Sequence, residues 1–464
     1  MVTGTLSQAA ETDTIDSREI AAKRAMLDDP RPMPDYVKEF LSPEEYAFYS
    51  FDPEAAKALM AEAVGFKAPD VVGKIAPEIT PGKYTHNDKG NKPGLKALMI
   101  PFMYENLFRP AGPPLGATFS EFTVVPTWQY NFGKRYLEAT IKNSGQVKVD
   151  AQGFMDWKGY KGGLLFPKPS GTDRQKAMQV LYNWLYMYWG ADSSTLTLTN
   201  KSWDKNFRVM TTMKGASLAI YPGGRVQQQP LGWLDERAQQ LGQFKYTLLN
   251  YLEPRDMYGT SVMIEDRMDP EAANAFYMYT SLLRRVRKMT GSDVQEVSVG
   301  GNVTYDDGGG FHRKLSATQF PYEYKILDDR EYLVPEAMTP GATFFITSKD
   351  LELKNLKMVR RPLYVFELIQ QDSTYIYRRT ILYFDKEAFN LYLVENYDQK
   401  DRLYRAHYLL PCFDPKTGMW APSMYTPNYD LRMKQTGIGF QTLSIPQNYT
   451  RDQFNLGALG GSVK

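Results

Sequence analysis

Apolar and polar residues alternate with a period of two along several stretches of the chain, which is the pattern of β-strands with one buried face. One such stretch runs from residue 244 to residue 289, and turn signals at EPRDMYG and RMDP divide it. Proline lacks the N–H that a strand ladder needs, and Asp and Gly favour turns, so each break predicts a chain reversal. The pattern therefore predicts three consecutive antiparallel strands, at 244–252, 260–264 and 276–289.

A second regular stretch predicts four more antiparallel strands, at 363–370, 375–384, 389–397 and 403–409. Short Asp-containing segments separate these runs, as expected for hairpin turns. The two meanders are interpreted as successive parts of one sheet. Further strands are predicted at 134–142, at 207–213 and at 322–334, the last with a central turn.

Helical patterns occur mainly in the first half of the chain. Helices are predicted at 16–27, from Pro43 onward, at 54–64, at 172–189 and at 235–241. Thr172 or Asp173 can cap the fourth helix, in which Met178, Leu181 and Leu185 share one face. Residues 65–114 are rich in Pro, Gly and Lys and are interpreted as an extended arm lying on a larger body.

These elements predict a mainly β (α+β) protein with an N-terminal helical extension. The predicted organisation is a helical and extended segment at 1–74, followed by a sheet domain at 75–464 whose tail is irregular from about residue 411.

Composition narrows the class of function. The 464 residues carry 55 basic and 53 acidic side chains, a net charge of +2, so no broad field for nucleic acid is expected. The only cysteine, Cys412, excludes an intramolecular disulfide, and the three histidines lie too far apart in sequence to suggest a zinc site. The sequence predicts no metal and no cofactor.

Motifs for catalysis are missing from the sequence: it contains no GxSxG, HExxH, CxxC or P-loop pattern. The tandem aspartates Asp306-Asp307 and Asp328-Asp329 are interpreted as turn formers, because adjacent strand residues point to opposite faces. His312 and His407 lack a nucleophile or an orienting acid nearby in sequence. No enzyme is predicted, and an ester hydrolase using these histidines is kept as a minor alternative.

Neither a membrane-spanning helix nor a signal peptide is predicted from the sequence. No stretch approaches the ~18 consecutive apolar residues of a membrane-spanning helix. The first residues show no charged segment followed by an apolar one, so no signal peptide is predicted within this sequence.

Several segments occur in the order of a large bacterial family whose members are labelled outer membrane lipoprotein-sorting proteins. They are GLLFPKPSG with QVLYNWL, the 244–289 meander, the YDD motif, YEYKILDDREYLVP and the 363–405 meander. The chain resembles this family over roughly residues 75–464. The family is similar to enlarged LolA/LolB lipoprotein carriers, which implies a strongly curved, incompletely closed antiparallel sheet (a half barrel) wrapped around helices. The resemblance also implies a periplasmic location, a signal sequence removed from this chain, and action beside RND-type transporters or outer-membrane proteins.

The implied function is non-enzymatic carriage or docking of a lipid, a lipoprotein or another hydrophobic molecule. The residues predicted to line the ligand site come from the apolar positions of the meanders: Phe244, Tyr246, Leu248, Val262, Ile264, Met278, Leu282, Phe366, Ile381 and Leu393. The same residues could instead form a dry core, which would favour a structural module that assembles with partner proteins. Arg284, Arg285 and Arg287 are predicted to form a polar rim for a headgroup or a partner.

Overall fold

The computed structural model describes residues 38, 41–289, 293–296 and 302–460. Within residues 41–289, 293–296 and 302–460 seven α-helices occur. They are α1 (Pro43–Tyr49), α2 (Pro53–Val64), α3 (Ala68–Val71), α4 (Pro93–Leu98), α5 (Lys134–Asn143), α6 (Asp173–Leu185) and α7 (Glu236–Leu241).

The strands of the first half are β1 (Gly82–Thr85), β2 (Glu121–Val124), β3 (Lys148–Val149), β4 (Met155–Asp156), β5 (Ser193–Trp203), β6 (Val209–Ile220), β7 (Gly223–Arg225), β8 (Gly232–Trp233), β9 (Gln243–Glu253), β10 (Ser261–Arg267), β11 (Ala275–Thr280) and β12 (Arg285–Met289). Those of the second half are β13 (Tyr322–Pro335), β14 (Phe345–Ile346), β15 (Leu353–Lys354), β16 (Lys357–Gln370), β17 (Arg379–Asp385), β18 (Leu391–Tyr397), β19 (Leu403–Tyr408), β20 (Leu410–Asp414), β21 (Met419–Asp430), β22 (Gln435–Gln441) and β23 (Ile445–Pro446).

Seventeen of these strands form one large, curved, open sheet. Following the pairings across it, the long strands lie in the order β12-β11-β10-β9-β6-β5-β22-β21-β19-β18-β17-β16-β13, and all of these neighbours are antiparallel. The short strand β2 adds a parallel pairing to β16. Among the described residues, β12 and β13 end the order without pairing to each other. The mainly β, incompletely closed sheet predicted from the sequence is confirmed, and both meanders belong to it.

Six hairpin turns of this sheet lie side by side at the same end of the strands. We call this row of turns the hairpin rim. In spatial order they are 281–284, 254–260, 204–208, 431–434, 398–402 and 371–378. Register places them together: Ser261 pairs with Tyr279, Lys214 with Glu253, Thr436 with Trp203, and Arg405 with Asp430. Each of these pairs joins the strand ends that flank two neighbouring turns.

The strands β16 to β18 are buried on both faces. On one face, Phe366, Leu382 and Val394 pack into a cluster that includes Met178 and Leu181 of α6. On the other face, Val365, Ile381 and Leu393 pack under residues of the 95–124 segment and of the loop that follows β13. Residues 65–114, predicted to be an arm, thus lie on the sheet, where they form short helices and β1. Helix α6 begins with the predicted cap, since the Thr172 side chain accepts a hydrogen bond from the Gln175 N–H.

Two predictions of local structure were wrong. Residues 134–143 form helix α5 instead of a strand, because Tyr136, Leu137 and Thr140 are the buried positions and share a helical face. The tail from residue 411 is not irregular: it contains β20 to β23, and β21 and β22 lie inside the sheet. Its Pro, Gly and Asn residues concealed these strands from sequence reasoning.

Two further predictions need correction in detail. The run 276–289 forms two strands, β11 and β12, joined by a turn in which Arg284 has a φ of 49°. The run 322–334 is one long strand, because its expected central turn is a β-bulge between Ile326 and Asp328. The helix predicted at 16–27 lies outside the described residues.

Candidate functional site

Eight apolar side chains form a partly open cluster on one face of the β5–β6–β9–β10–β11 part of the sheet. Met213, Tyr251 and Val262 are buried at its centre, and five half-buried side chains pack around them: Leu198, Leu249, Met257, Ile264 and Met278. We call this set the open apolar cluster. Half-buried apolar side chains that adjoin one another leave a surface from which an apolar molecule can displace water.

Strand register explains why these residues share a face. Val262 of β10 is paired with Leu249 of β9 on one side and with Met278 of β11 on the other. Directly paired residues of antiparallel strands point to the same side of the sheet, and successive residues of one strand point to opposite sides. Leu248 and Met263 consequently belong to a separate cluster on the opposite face, which is covered by Phe454 and Leu459.

The segment 305–314 borders the open apolar cluster. Tyr305 lies against Tyr251, and burial raises the pKa of both hydroxyls. His312 Nε2 is 2.9 Å from a carboxylate oxygen of Asp266 on β10. Burial lowers the pKa of His312, but the Asp266 carboxylate raises it, and the net shift is upward. The segment therefore lies across the face of the sheet that carries the cluster.

The YDD motif anchors this segment to the other half of the sheet. The Tyr375 hydroxyl donates to Asp306 at 2.7 Å, and the Tyr377 hydroxyl donates to Asp307 at 2.6 Å. Arg313 donates to Asp307 at 2.9 Å, and both of these side chains are fully buried.

The two aspartates have opposite pKa shifts. Burial is the main cause that raises the pKa of Asp306 to about 6. Burial also acts to raise the pKa of Asp307, but the charges of His407 and Arg313 hold it at about 2. Both carboxylates are thus buried and hydrogen-bonded within the protein, and the interpretation of Asp306-Asp307 as simple turn formers was incomplete.

The structure distributes the predicted lining residues over four separate clusters. Val262, Ile264 and Met278 lie together in the open apolar cluster. Tyr246 and Leu248 lie on the opposite face of β9, Phe244 and Phe366 belong to the core around α6, and Ile381 and Leu393 belong to the core under the arm. Leu282 lies in the turn 281–284, where 76% of its surface is exposed. The ten residues thus do not line one common cavity.

Five members of the open apolar cluster escaped the sequence analysis: Leu198, Met213, Leu249, Tyr251 and Met257. The alternation in β9 was read from its other face, on which Tyr246 and Leu248 lie. The signal that could have found Leu249 and Tyr251 is the cross-strand register between β9 and β10. This register can be predicted only when the length of the turn between the two strands is known.

The predicted polar rim residues Arg284, Arg285 and Arg287 are exposed and lie at or next to the turn 281–284. Arg287 also forms an ion pair with Asp293. These arginines therefore lie at the end of the sheet toward which the open apolar cluster extends through Met257 and Tyr251.

Two clefts lie elsewhere on the surface. One of about 610 Å³ lies between α2 and β13 and is lined partly by charged residues, including Lys168, Arg330 and Lys386. Another, of about 490 Å³, lies beside the 339–344 loop and includes Glu336 and Lys357. Neither has the mainly apolar lining that suits an acyl chain.

In residues 41–289, 293–296 and 302–460, no three His, Cys, Asp or Glu side chains are grouped so as to hold a metal ion. No helix in the described part of the chain is both long enough and apolar enough to cross a membrane.

Comparison with known proteins gives a family match and several structural neighbours. A family model described as a protein of unknown function (DUF1329) matches residues 118–459. No curated protein matches the chain. A domain assigned to the outer membrane lipoprotein-sorting proteins, from Vibrio parahaemolyticus, is 15% identical, with 59% of this chain and 93% of that chain covered and a TM-score of 0.41. A DUF1329 family protein from Desulfovibrio piger is 14% identical (58% and 92% covered, TM-score 0.40), and a LolA superfamily protein from Nitrosomonas europaea is 13% identical (61% and 98% covered, TM-score 0.37).

Proposed function

The chain belongs to the DUF1329 family, and from the arrangement of its own residues we propose that it is a non-enzymatic carrier of a hydrophobic molecule. The observation that carries the proposal is the open apolar cluster, where five half-buried apolar side chains adjoin one another on a single face. The ligand class proposed is a molecule with an acyl chain, such as a lipid or the lipid group of a lipoprotein.

Energetics favours this ligand class. Each CH₂ group moved from water to an apolar surface contributes ~0.8 kcal/mol, so a chain of about a dozen methylenes can bind without a charged anchor. Methionine adapts its shape to different partners, and three of the eight cluster residues are methionines: Met213, Met257 and Met278. A cluster of this composition suits a flexible ligand better than a rigid one.

The fixed elements around the cluster support carriage rather than catalysis. Two ionisable groups on the same side of the sheet, Asp266 and His312, are bonded to each other. The Asp306 and Asp307 carboxylates accept hydrogen bonds from tyrosine and arginine side chains.

We propose a periplasmic setting, with an RND-type transporter or an outer-membrane protein as the partner that supplies or receives the ligand.

A titration with a fluorescent fatty acid tests the proposal. The full chain is expected to bind the probe with saturable emission, and Met278→Asn is expected to weaken binding at least tenfold, because it places an amide against the acyl chain. Lipid extraction followed by mass spectrometry of the purified protein is expected to release an acyl-containing molecule.

The matched control is Leu218→Asn. Leu218 is also a half-buried apolar residue of this part of the sheet, but it packs with the cluster on the opposite face. The Leu218→Asn variant should bind the probe as tightly as the unmodified chain does. Absence of binding by the unmodified chain, or equal losses in both variants, would refute the proposed site.

A further inference from the structure

Four neighbouring turns of the hairpin rim carry apolar side chains that face solvent. Of the thirteen large apolar side chains that are exposed in the described residues, seven lie at or next to the turns 281–284, 254–260, 204–208 and 431–434. The most exposed are Leu282 at 76%, Leu283 at 70% and Met433 at 63%. Val209, Met210 and Tyr258 are each about half exposed. This concentration at one edge is not the scattered exposure that a soluble surface usually shows.

Basic side chains flank the same turns. The segments 204–210, 254–260, 281–288 and 431–434 contain nine Lys or Arg residues and two Asp residues, whereas the whole chain has a net charge of only +2. All nine basic side chains are exposed. The four turns therefore combine apolar tips with a strong local excess of positive charge.

The remaining two turns of the hairpin rim provide an internal comparison. The segments 371–378 and 398–402 contain three acidic and three basic residues and none of the exposed large apolar side chains. Their charges are partly neutralised locally, since Asp398 pairs with Arg402 and Asp401 pairs with Arg379. The apolar and basic character thus belongs to one half of the rim and is not a general property of its turns.

We propose that these four turns dock the protein onto an anionic phospholipid bilayer. Apolar tips enter the interface between headgroups and acyl chains, while the Lys and Arg side chains contact lipid phosphates. Tyrosine is favoured at this depth, and the exposed Tyr258 lies in the turn 254–260. Charge complementarity selects a membrane over a neutral or basic protein surface as the occupant.

The location of the docking surface connects it to the open apolar cluster. Met257 belongs to the turn 254–260 and to the cluster, and Val262 follows that turn by two residues. Docking by these turns would bring the end of the cluster to the bilayer surface. The docking proposal stands independently of the carrier proposal, because it rests on exposure and charge at the turns alone.

Vesicle co-sedimentation with the full chain tests docking. Binding is expected to vesicles that contain about a third phosphatidylglycerol in phosphatidylcholine, to fall with added salt, and to be weak on pure phosphatidylcholine. Arg284→Glu/Arg285→Glu and Leu282→Ser/Leu283→Ser are each expected to reduce the partition coefficient at least about tenfold. The control Lys142→Glu/Lys148→Glu changes two exposed lysines away from the rim and should reduce binding far less.

Insertion of the turn 281–284 into the bilayer is tested separately with a fluorophore. Cys412 is buried and is the only cysteine, so Leu282→Cys provides a single reactive thiol for an environment-sensitive dye. The emission of the dye should shift to the blue on anionic vesicles, whereas a dye at Leu241→Cys, which is exposed next to the opposite end of β9, should not shift.

Two outcomes would overturn the proposal: equal binding of the rim variants and the unmodified chain, or self-association without lipid that Leu282→Ser/Leu283→Ser abolishes. Loss of docking with intact fatty-acid binding, or the reverse, would separate this proposal from the carrier proposal.

Discussion

The two halves of the sheet differ in how they are covered. In the β16–β18 half, both faces are buried, one by α6 and the other by the arm and a loop. In the half from β5 to β12, one face retains the open apolar cluster and the turns expose apolar side chains. If the two proposals above are correct, the halves divide their roles: one half stabilises the fold, and the other presents apolar surface to a ligand or a membrane.

Arginine side chains provide a second contrast between the two halves. Arg361, Asp385 and Glu387 are fully buried in the covered half, with Arg361 bonded to both carboxylates at 2.6 to 3.0 Å. In the other half, Arg284 and Arg285 are exposed. The charge of Arg361 is thus fixed by partners within the protein, whereas Arg284 and Arg285 face solvent.

The largest expected effect is that of Arg361→Met. This change leaves Asp385 and Glu387 buried without their cation, so we expect a loss of about 3–5 kcal/mol in the free energy of unfolding, measured by urea denaturation. Arg285→Met, the same change in the open half, is expected to alter it by less than about 0.5 kcal/mol. Similar losses in both variants would show that the two halves do not differ in this way.

A somewhat smaller difference is expected for truncated apolar residues. Leu393 is fully buried, and Leu393→Ala should cost about 2–5 kcal/mol through lost burial and the cavity that it leaves. Ile264→Ala in the open apolar cluster should cost clearly less, because the side chain is already partly exposed, but it should weaken fatty-acid binding. Unfolding and probe titration on both variants would separate a core residue from a ligand-site residue. The opposite pattern would restore Leu393 as a lining residue and remove Ile264.

Sequence patterns predicted the sheet well because its strands alternate and its turns carry Asp, Gly and Pro. Both meanders and the capped helix α6 were found on these grounds. Helix α5 was missed because its residues also fit a period of two, and burial of one helical face, in the cluster that includes α6, decided between the two patterns. Strands β21 and β22 were missed because their Pro and Gly residues argue against central strands.

The candidate site was predictable only in part. Val262, Ile264 and Met278 were named from their apolar character, but Ile381 and Leu393 were named on the same ground and lie in a covered core. Sequence shows that a strand has an apolar face, whereas the chain segment that covers this face is set by long-range packing. The four apolar turns come from distant parts of the sequence, so only the order of strands reveals them as neighbours.

The smallest expected effect concerns Asp306, whose pKa is raised by burial to about 6 from a usual value of 3.8. Since the folded state favours the protonated carboxyl, ionisation costs stability as the pH rises from about 4 through 6. Asp306→Asn keeps an acceptor for the Tyr375 hydroxyl but cannot ionise, so it should be more stable than the unmodified chain at pH 7.5, by roughly 2 kcal/mol. Below about pH 4 this advantage should disappear. Unfolding measured across this range tests the prediction. An advantage of Asp306→Asn that does not change with pH would show that burial does not destabilise the ionised carboxylate of Asp306.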